Sequence, residues 1–299
     1  MTTRSPAILN ASQTAAVLPY PELVAQLIKT AREKAAGAIT TPPRQALEYP
    51  HGGTLLSMPA TAHDIGAHKL VNVMPQNAAT GEAVIQGLVC AYDGLSGAPL
   101  FILDGPTVTE RRTAAVSMMG IELLWGSPRE VTVIGSGIQA QGHIAALLSL
   151  YPEIHINVLA RNPDKAKLLL QNVESAKTIQ IVEQVPSSCD VVITVTSSST
   201  PVYNEAADAQ RLVIGVGAYR SDMAEIHPHT IQASQLFVDN ADAAEHEAGD
   251  YIQAKVNWAL VTPIIAAQAE LKGTAPLVYK TIGCAAWDLA AARCARLHL

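Results

Sequence analysis

The sequence predicts an α/β protein in which a doubly wound parallel sheet is joined to an α+β domain. Three observations carry that prediction. Val131-Thr132-Val133-Ile134 is a β-branched run that passes directly into Gly135-Ser136-Gly137-Ile138-Gln139-Ala140, which reads as a glycine turn and the opening of a helix. Downstream of it, strand-like and helix-like segments alternate, the pattern of parallel strands with helical crossovers. Upstream of it, strand-like runs are punctuated by Asp-Gly and Ser-Gly pairs, the pattern of antiparallel hairpins.

In chain order, Asn10 to Gly37 reads as helical, with Ser12 as a candidate N-cap and Leu23, Leu27 and Ala31 about one turn apart on one face. Pro42-Pro43 ends that region, and Arg44 follows in an extended stretch. Thr54 to Met58 and Ile65 to Val73 have strand character, with Pro59 and Gly66 as punctuation. After a turn over Asn77 to Gly81, Ala83 to Tyr92 and Leu100 to Leu103 form a hairpin through Asp93-Gly94 and Ser96-Gly97, closed by Asp104-Gly105-Pro106. Thr107 to Trp125 is helical, with Thr109 as a candidate cap, and Gly126-Ser127-Pro128 breaks it.

The alternating part comprises strands at Val131–Ile134, Ile154–Leu159, Val191–Thr194, Leu212–Val216 and Leu236–Val238, with helices at Gln139–Leu150 and Asp164–Val173. Ala254 to Leu299 reads as helical again, with a helix from Lys280 to Leu297 returning to the first domain. The expected organisation is an α+β domain over residues 1–115, completed by residues 278–299, and a Rossmann-type dinucleotide-binding domain over residues 116–277.

The chain of 299 residues is 49% hydrophobic and only 15% charged, too few charges to cover a large polar surface, which predicts an apolar face buried between subunits. A net charge of −6 argues against nucleic acid or an anionic membrane as the main partner. The lack of a membrane-length apolar run or a basic, apolar leader predicts a cytoplasmic protein. Cys90, Cys189, Cys284 and Cys294 are scattered and read as reduced, buried small hydrophobes. His227 and His229 flank Pro228 at a helix start, and His246-Glu247 lacks the second histidine of H-E-x-x-H, so no metal is expected.

The glycine turn has the geometry in which a pyrophosphate rests on a helix N-terminus, held by backbone N–H groups and the helix dipole. Gly135 allows the tight turn, Gly137 allows close backbone approach, Ala140 lets the helix pack on the strand, and Ser136, Ile138 and Gln139 complete the loop. An NAD site commonly places an acid about 20 residues further on, at the tip of the second strand. Here that tip is Ala160-Arg161-Asn162, and Arg161 could pair with a 2′-phosphate, helped by Asn162 and Lys165. NADPH is therefore the expected cofactor, with NADH also usable; the alternative is that Arg161 is a solvated loop charge. Thr196 and Ser197 end another strand and either line the dinucleotide or cap a solvated turn, while Gly217 could let a nicotinamide lie against the backbone.

Arg44, Lys69 and Arg112 are isolated cations in apolar surroundings of the N-terminal domain. Lys69 lies in the strand Ile65 to Val73, which has little reason to hold a charge without a partner. Guanidinium groups at Arg44 and Arg112 could clamp a substrate carboxylate at fixed orientation.

The set Lys69-Leu70-Val71-Asn72 with Pro75, Asp104-Gly105 with Thr109-Glu110-Arg111-Arg112-Thr113-Ala114-Ala115, and Gly135 to Ala140 resembles the ornithine cyclodeaminase/μ-crystallin family. The likeness continues through Glu247-Ala248-Gly249-Asp250 to Tyr279-Lys280-Thr281-Ile282-Gly283 and so spans nearly the whole chain. It implies a homodimer, with the N-terminal domain and the C-terminal helix as the substrate and dimerisation unit, Arg44, Lys69 and Arg112 around the substrate carboxylate, and Arg112, Thr113 and Thr281 among the cofactor contacts.

Cyclodeaminases of the family carry an Asp for ammonia loss and ring closure where this chain has Tyr219, counted back from Glu225. A phenol cannot replace a carboxylate base at neutral pH, and Asp222 stands three residues away. The resemblance is therefore to the ketimine reductases, which use NAD(P)H to reduce Δ1-pyrroline-2-carboxylate or Δ1-piperideine-2-carboxylate at C2. Lys69 is the candidate for positioning and proton assistance. The rival expectations are a dehydrogenase that reductively aminates a 2-oxo acid, as alanine dehydrogenase does, and a crystallin-like NADPH-binding protein with little turnover.

Overall fold

A computed structural model describes residues 5–171, 173, 178–267 and 271–299. The chain divides into two compact units, residues 1–113 with 284–299, and residues 114–283.

The first unit is built on a six-stranded sheet. Its strands are β1 (Ala7–Ile8), β2 (Gln45–Glu48), β3 (Thr54–Thr61), β4 (Ile65–Val73), β5 (Ile85–Asp93) and β6 (Pro99–Asp104), in the order β1-β6-β5-β4-β3-β2. All pairs are antiparallel except β1 with β6. Helices α1 (Ala11–Ala16) and α2 (Tyr20–Ala35) precede β2, and α9 (Ala285–Arg296) closes the unit against α2, β3 and β4. Strand alternation puts Ile65, Ala67, Lys69 and Val71 on the buried face under that helix, and His68, Leu70 and Asn72 on the other.

The expected helix over Asn10 to Gly37 is two helices, because Pro19 and Pro21 restart the chain at α2. Asn10 rather than Ser12 caps α1, in a capping box with Gln13. Pro59 does not end β3. Its ring nitrogen faces the same side as the Thr61 N–H, which bonds Thr40 and not β4, so no bond of the β3–β4 ladder needs a donor there. The β5–β6 hairpin turns where predicted, with Asp93 Oδ1 accepting the Leu95 and Ser96 N–H groups and Gly97 at φ +71°. The helix after it, α3 (Gly105–Leu124), starts earlier than expected. Asp104 Oδ1 accepts the Thr107 N–H and hydroxyl and is the cap, whereas the Thr109 hydroxyl is buried inside the helix.

The second unit carries an eight-stranded, wholly parallel sheet. Its strands are β7 (Glu130–Ile134), β8 (His155–Leu159), β9 (Ile179–Val182), β10 (Val191–Thr194), β11 (Leu212–Gly215), β12 (Gln235–Val238), β13 (Val261–Pro263) and β14 (Leu277–Lys280). The order β13-β12-β14-β11-β10-β7-β8-β9 makes this a Rossmann-type sheet whose winding reverses between β7 and β10. Around it lie α4 (Ile138–Leu150), α5 (Pro163–Leu170), α6 (Pro228–Gln232), α7 (Ala241–Glu247) and α8 (Gly249–Gln253). The helix expected over Asp164–Val173 ends at Leu170, and Asn172 lies outside the described residues.

The larger correction is at the carboxyl end. Lys280 does not begin a helix: Leu277–Lys280 is a strand, buried along its length and inserted between β11 and β12. The helix begins at Ala285, after the chain has left the second unit. No described helix is long and apolar enough to cross a membrane.

Candidate active site

In the first unit, four charged side chains converge. Lys69 projects from β4 between the apolar register partners Met58 and Val89 and is 2% exposed. Its Nζ donates to Asp288 Oδ1 at 2.9 Å and lies 2.9 Å from Oδ2 as well. Asp288 comes from the first turn of α9, where the helix dipole favours an anion, and is fully buried. Arg112 Nε approaches the same Oδ1 at 3.5 Å, outside hydrogen-bond geometry, so that N–H is buried without an acceptor. Arg44 is half-buried and near enough to act on Lys69 electrostatically.

Two cations thus flank one carboxylate, a third stands near Lys69, and the site is net positive. Burial lowers the Lys69 pKa and Asp288 partly restores it, while Arg112 and Arg44 lower it further, so that it settles at about 8. The ammonium keeps its proton at neutral pH but holds it less firmly than a solvated lysine does. A cluster of this kind can bind a small carboxylate and hand over a proton. The neighbouring Arg111 is engaged differently, its Nε donating to Leu18 O and its guanidinium stacking 4.0 Å from the Tyr20 ring centroid.

In the second unit, Gly135 sits at the reversal point after β7, with φ +139° and its N–H donating to Leu159 O. A Cβ there would come within 2.9 Å of Val195 O, so the turns after β7 and β10 close on each other only with glycine. A Cβ on Gly137 would meet nothing within 4 Å, which leaves the backbone open to a ligand from outside. Helix α4 opens at Gly137 with no side-chain cap and no acid in its first turn, and Ser136, Ile138 and Gln139 are half-buried to exposed around it. Ala140 is fully buried against the sheet. These residues fit the pyrophosphate of a dinucleotide.

Arg161, just after β8, and Lys165, in the first turn of α5, are exposed, and among the described residues neither side chain is engaged in a hydrogen bond or ion pair. Asn162 spends its carboxamide oxygen capping α5, accepting the Asp164 and Lys165 N–H groups. Thr196 and Gly217, after β10 and β11, are tied together by Glu225, whose Oε1 accepts the Thr196 N–H and hydroxyl and whose Oε2 accepts the Gly217 N–H. Gly217 was expected to make room for a nicotinamide. Its missing side chain also makes room for Thr196, since a Cβ would stand 1.8 Å from Thr196 O. Ser197 is exposed, Thr281 is buried with its N–H on Gly215 O, and Thr113, half-buried, is the last residue of the first unit before the crossing.

Sequence reasoning missed Asp288, Glu225 and a buried ion pair between Lys280 and Asp250, 3.1 Å apart. Burial raises the Glu225 pKa, opposed by Lys280 and reinforced by Asp250. The available signal was the one that picked out Lys69, a charge inside a strand, and Leu277–Lys280 shows it too. Tyr219 is 44% exposed beside Gly217, and Asp222 is an exposed partner of Arg220, at 2.9 Å through two hydrogen bonds. Asp222 therefore does not stand in for the cyclodeaminase carboxylate. Among the described residues no group of three or more His, Cys, Asp or Glu is arranged to hold a metal ion.

A Rossmann-type sheet whose glycine turn fits a dinucleotide, and a cationic cluster able to bind a small carboxylate, are the marks of a class of dinucleotide-dependent enzymes. Within that class the chain belongs to the ornithine cyclodeaminase/mu-crystallin family, whose model matches residues 5–297. It is 46% identical over 305 residues to a Delta(1)-pyrroline-2-carboxylate/Delta(1)-piperideine-2-carboxylate reductase of Azospirillum brasilense, covering 99% of this chain and 97% of that one. It is 45% identical over 296 residues to Delta(1)-pyrroline-2-carboxylate reductase 1 of Burkholderia multivorans, covering 97% and 94%. Among solved structures, the Delta(1)-pyrroline-2-carboxylate reductase of Thermococcus litoralis in complex with NADH and L-proline shares the fold, with a TM-score of 0.83 at 23% identity over 97% of this chain and 96% of that one.

Proposed function

We propose that the protein is an NAD(P)H-dependent ketimine reductase that converts Δ1-pyrroline-2-carboxylate to L-proline and Δ1-piperideine-2-carboxylate to L-pipecolate. The observation that carries the reading is the pairing of Lys69 and Arg112 with the buried Asp288, with half-buried Arg44 near Lys69 and an Arg112 N–H still lacking an acceptor. Relatives at 45% and 46% identity over almost the whole chain, named as reductases of these imines, support it.

In this reading Arg44 and Arg112 hold the substrate carboxylate and orient the ring. The bound reduced dinucleotide supplies a hydride to C2. Lys69 gives a proton to the imine nitrogen, so that the C=N bond becomes a secondary amine and the lysine is left neutral until water reprotonates it. Tyr219, in place of the cyclodeaminase Asp, disfavours ammonia loss from ornithine. The first unit is the substrate and dimerisation domain and the second the dinucleotide domain, with NADPH preferred because Arg161 has no competing partner among the described residues.

The homodimer has its own support. Register places Ile8, Leu47, Leu70, Leu88 and Tyr92 on one face of the six-stranded sheet, opposite the face covered by α9, and these residues are 38% to 73% exposed. A second copy laid on that face would remove the apolar surface from water. A cytoplasmic location belongs to the same proposal, supported by four cysteines that form no disulfide.

The test is to mix purified protein with Δ1-pyrroline-2-carboxylate and NADPH or NADH and follow absorbance of the reduced cofactor. Imine-dependent oxidation without added ammonia is expected. No oxidation with either cofactor, together with ammonia release from ornithine, would overturn the reading.

A further inference from the structure

Asp288 is the one member of the cationic cluster to which the proposed reaction gives no role. An ion pair between β4 and α9 that merely braced the fold would not need to sit among the groups that face substrate. The surroundings of Lys69 show what is unusual. Its cross-strand partners Met58 and Val89 are apolar. Arg112 from α3 and Arg44 from the stretch before β2 both bring positive charge. The other charges of α9, Arg293 and Arg296, are engaged elsewhere, with Asp64, Glu33 and Asp93. Asp288 is therefore the anion that faces Lys69 among the described residues, and it does so with both oxygens at 2.9 Å.

We propose that Asp288 is a positioning residue of the reductase site: it aims the Lys69 ammonium, steadies the Arg112 guanidinium through a shared oxygen, and keeps the Lys69 proton in place until the imine nitrogen takes it. The identity of the proton acceptor rests on the functional reading above; the geometry does not. Oδ1 accepts from Lys69 and lies 3.5 Å from Arg112 Nε, an ion pair without a hydrogen bond, which sets the distance between the proton donor and one arm of the carboxylate clamp. With Asp288 neutralised, a fully desolvated ammonium would stand beside two guanidiniums and shed its proton below the present value of about 8. In turnover the Lys69 N–H bond breaks as the imine N–H bond forms, the hydride for C2 being what a bound reduced dinucleotide would supply, and water returns a proton to Lys69 Nζ.

The experiment follows the side-chain nitrogen of Lys69 by NMR in the full chain labelled with 15N-lysine, the signal being assigned by its loss in Lys69→Arg. Asp288→Asn should lower the Lys69 titration midpoint by about one pH unit or more, and the alkaline limb of kcat/KM should move with it. Arg112→Met should raise the midpoint. Asp288→Glu keeps the charge but re-aims the ammonium, so the midpoint returns toward wild type while kcat falls about tenfold or more with KM little changed. A Lys69 midpoint that does not move in a folded Asp288→Asn protein overturns the proposal. Where Asp288→Asn does not fold, an Asp288→Glu enzyme with wild-type kcat overturns it instead. Wild-type protein that titrates as expected but oxidises no cofactor with the imine overturns the functional reading alone, because the NMR midpoint needs no turnover.

Discussion

Lys280 Nζ lies 3.1 Å from Asp250 Oδ2, and neither side chain reaches solvent. The same ammonium donates to Gly215 O, Asp250 Oδ1 accepts the Glu225 and Ile226 N–H groups, and Glu225 accepts those of Thr196 and Gly217. One buried charge chain therefore ties together the carboxyl ends of β10, β11 and β14. Lys280→Met would leave two buried carboxyl groups without their cation, and the expected cost is about 3–5 kcal/mol. Urea unfolding of the variant beside wild type measures it; a loss below about 1 kcal/mol would show that the cluster neutralises itself by taking up a proton.

His143 links the first helix of the dinucleotide unit to α3. Its Nδ1 must carry the proton, since it bonds the Gln139 carbonyl at 2.7 Å, and Nε2 then accepts from the Ser117 hydroxyl at 2.9 Å. Burial holds the imidazole pKa down to about 4, against 6.5 for the ordinary side chain. Between those values the unfolded chain binds a proton that the folded chain refuses, so stability falls as pH drops through that window and is fully present above it. His143→Gln should flatten this part of the stability–pH curve by up to about 3 kcal/mol. Denaturant midpoints near pH 4 and above 6.5 would reveal the difference between the two proteins.

Arg161 stands exposed at the tip of β8 with its guanidinium unengaged by described residues. Arg161→Asp should lower the kcat/KM ratio of NADPH to NADH by about tenfold or more, because the proposed charge-assisted pair to the 2′-phosphate would become a repulsion. Initial rates with each cofactor give the ratio directly. A ratio that stays put removes Arg161 from the cofactor site.

Leu70 and Leu88 are register partners on the outer sheet face, 42% and 48% exposed. Lysine at both positions should split the proposed dimer and leave the fold of each unit intact. Sedimentation velocity should show the halved mass and circular dichroism an unchanged spectrum. Wild type that sediments as a monomer would refute the dimer outright.

How much of this was legible in the sequence depended on how local each cause is. The β7–Gly135–α4 unit is contiguous, so its strand, turn and helix could be read from ten residues. Lys69 was legible as a charge in a strand that needed a partner, but the partner lies 219 residues away, and nothing in either neighbourhood names the other. β14 was hidden because a four-residue strand buried on both faces carries no alternation to distinguish it from a helix turn. The caps failed for a smaller reason. Ser12 and Thr109 are good capping residues, yet Asn10 has Gln13 and Asp104 has Thr107 at the spacing that closes the turn.

The nesting of the second unit inside the first has a temporal side. A ribosome finishes all of residues 114–283 before it reaches α9, so the contiguous dinucleotide unit can fold while the other is still missing a helix. Through that interval Lys69 has no counter-ion, and Asp64 and Glu33 wait for Arg293. The half of the protein that meets the ribosome exit first is thus the half that matures last, and the arrival of Asp288 is what turns a strand bearing an orphan lysine into a site.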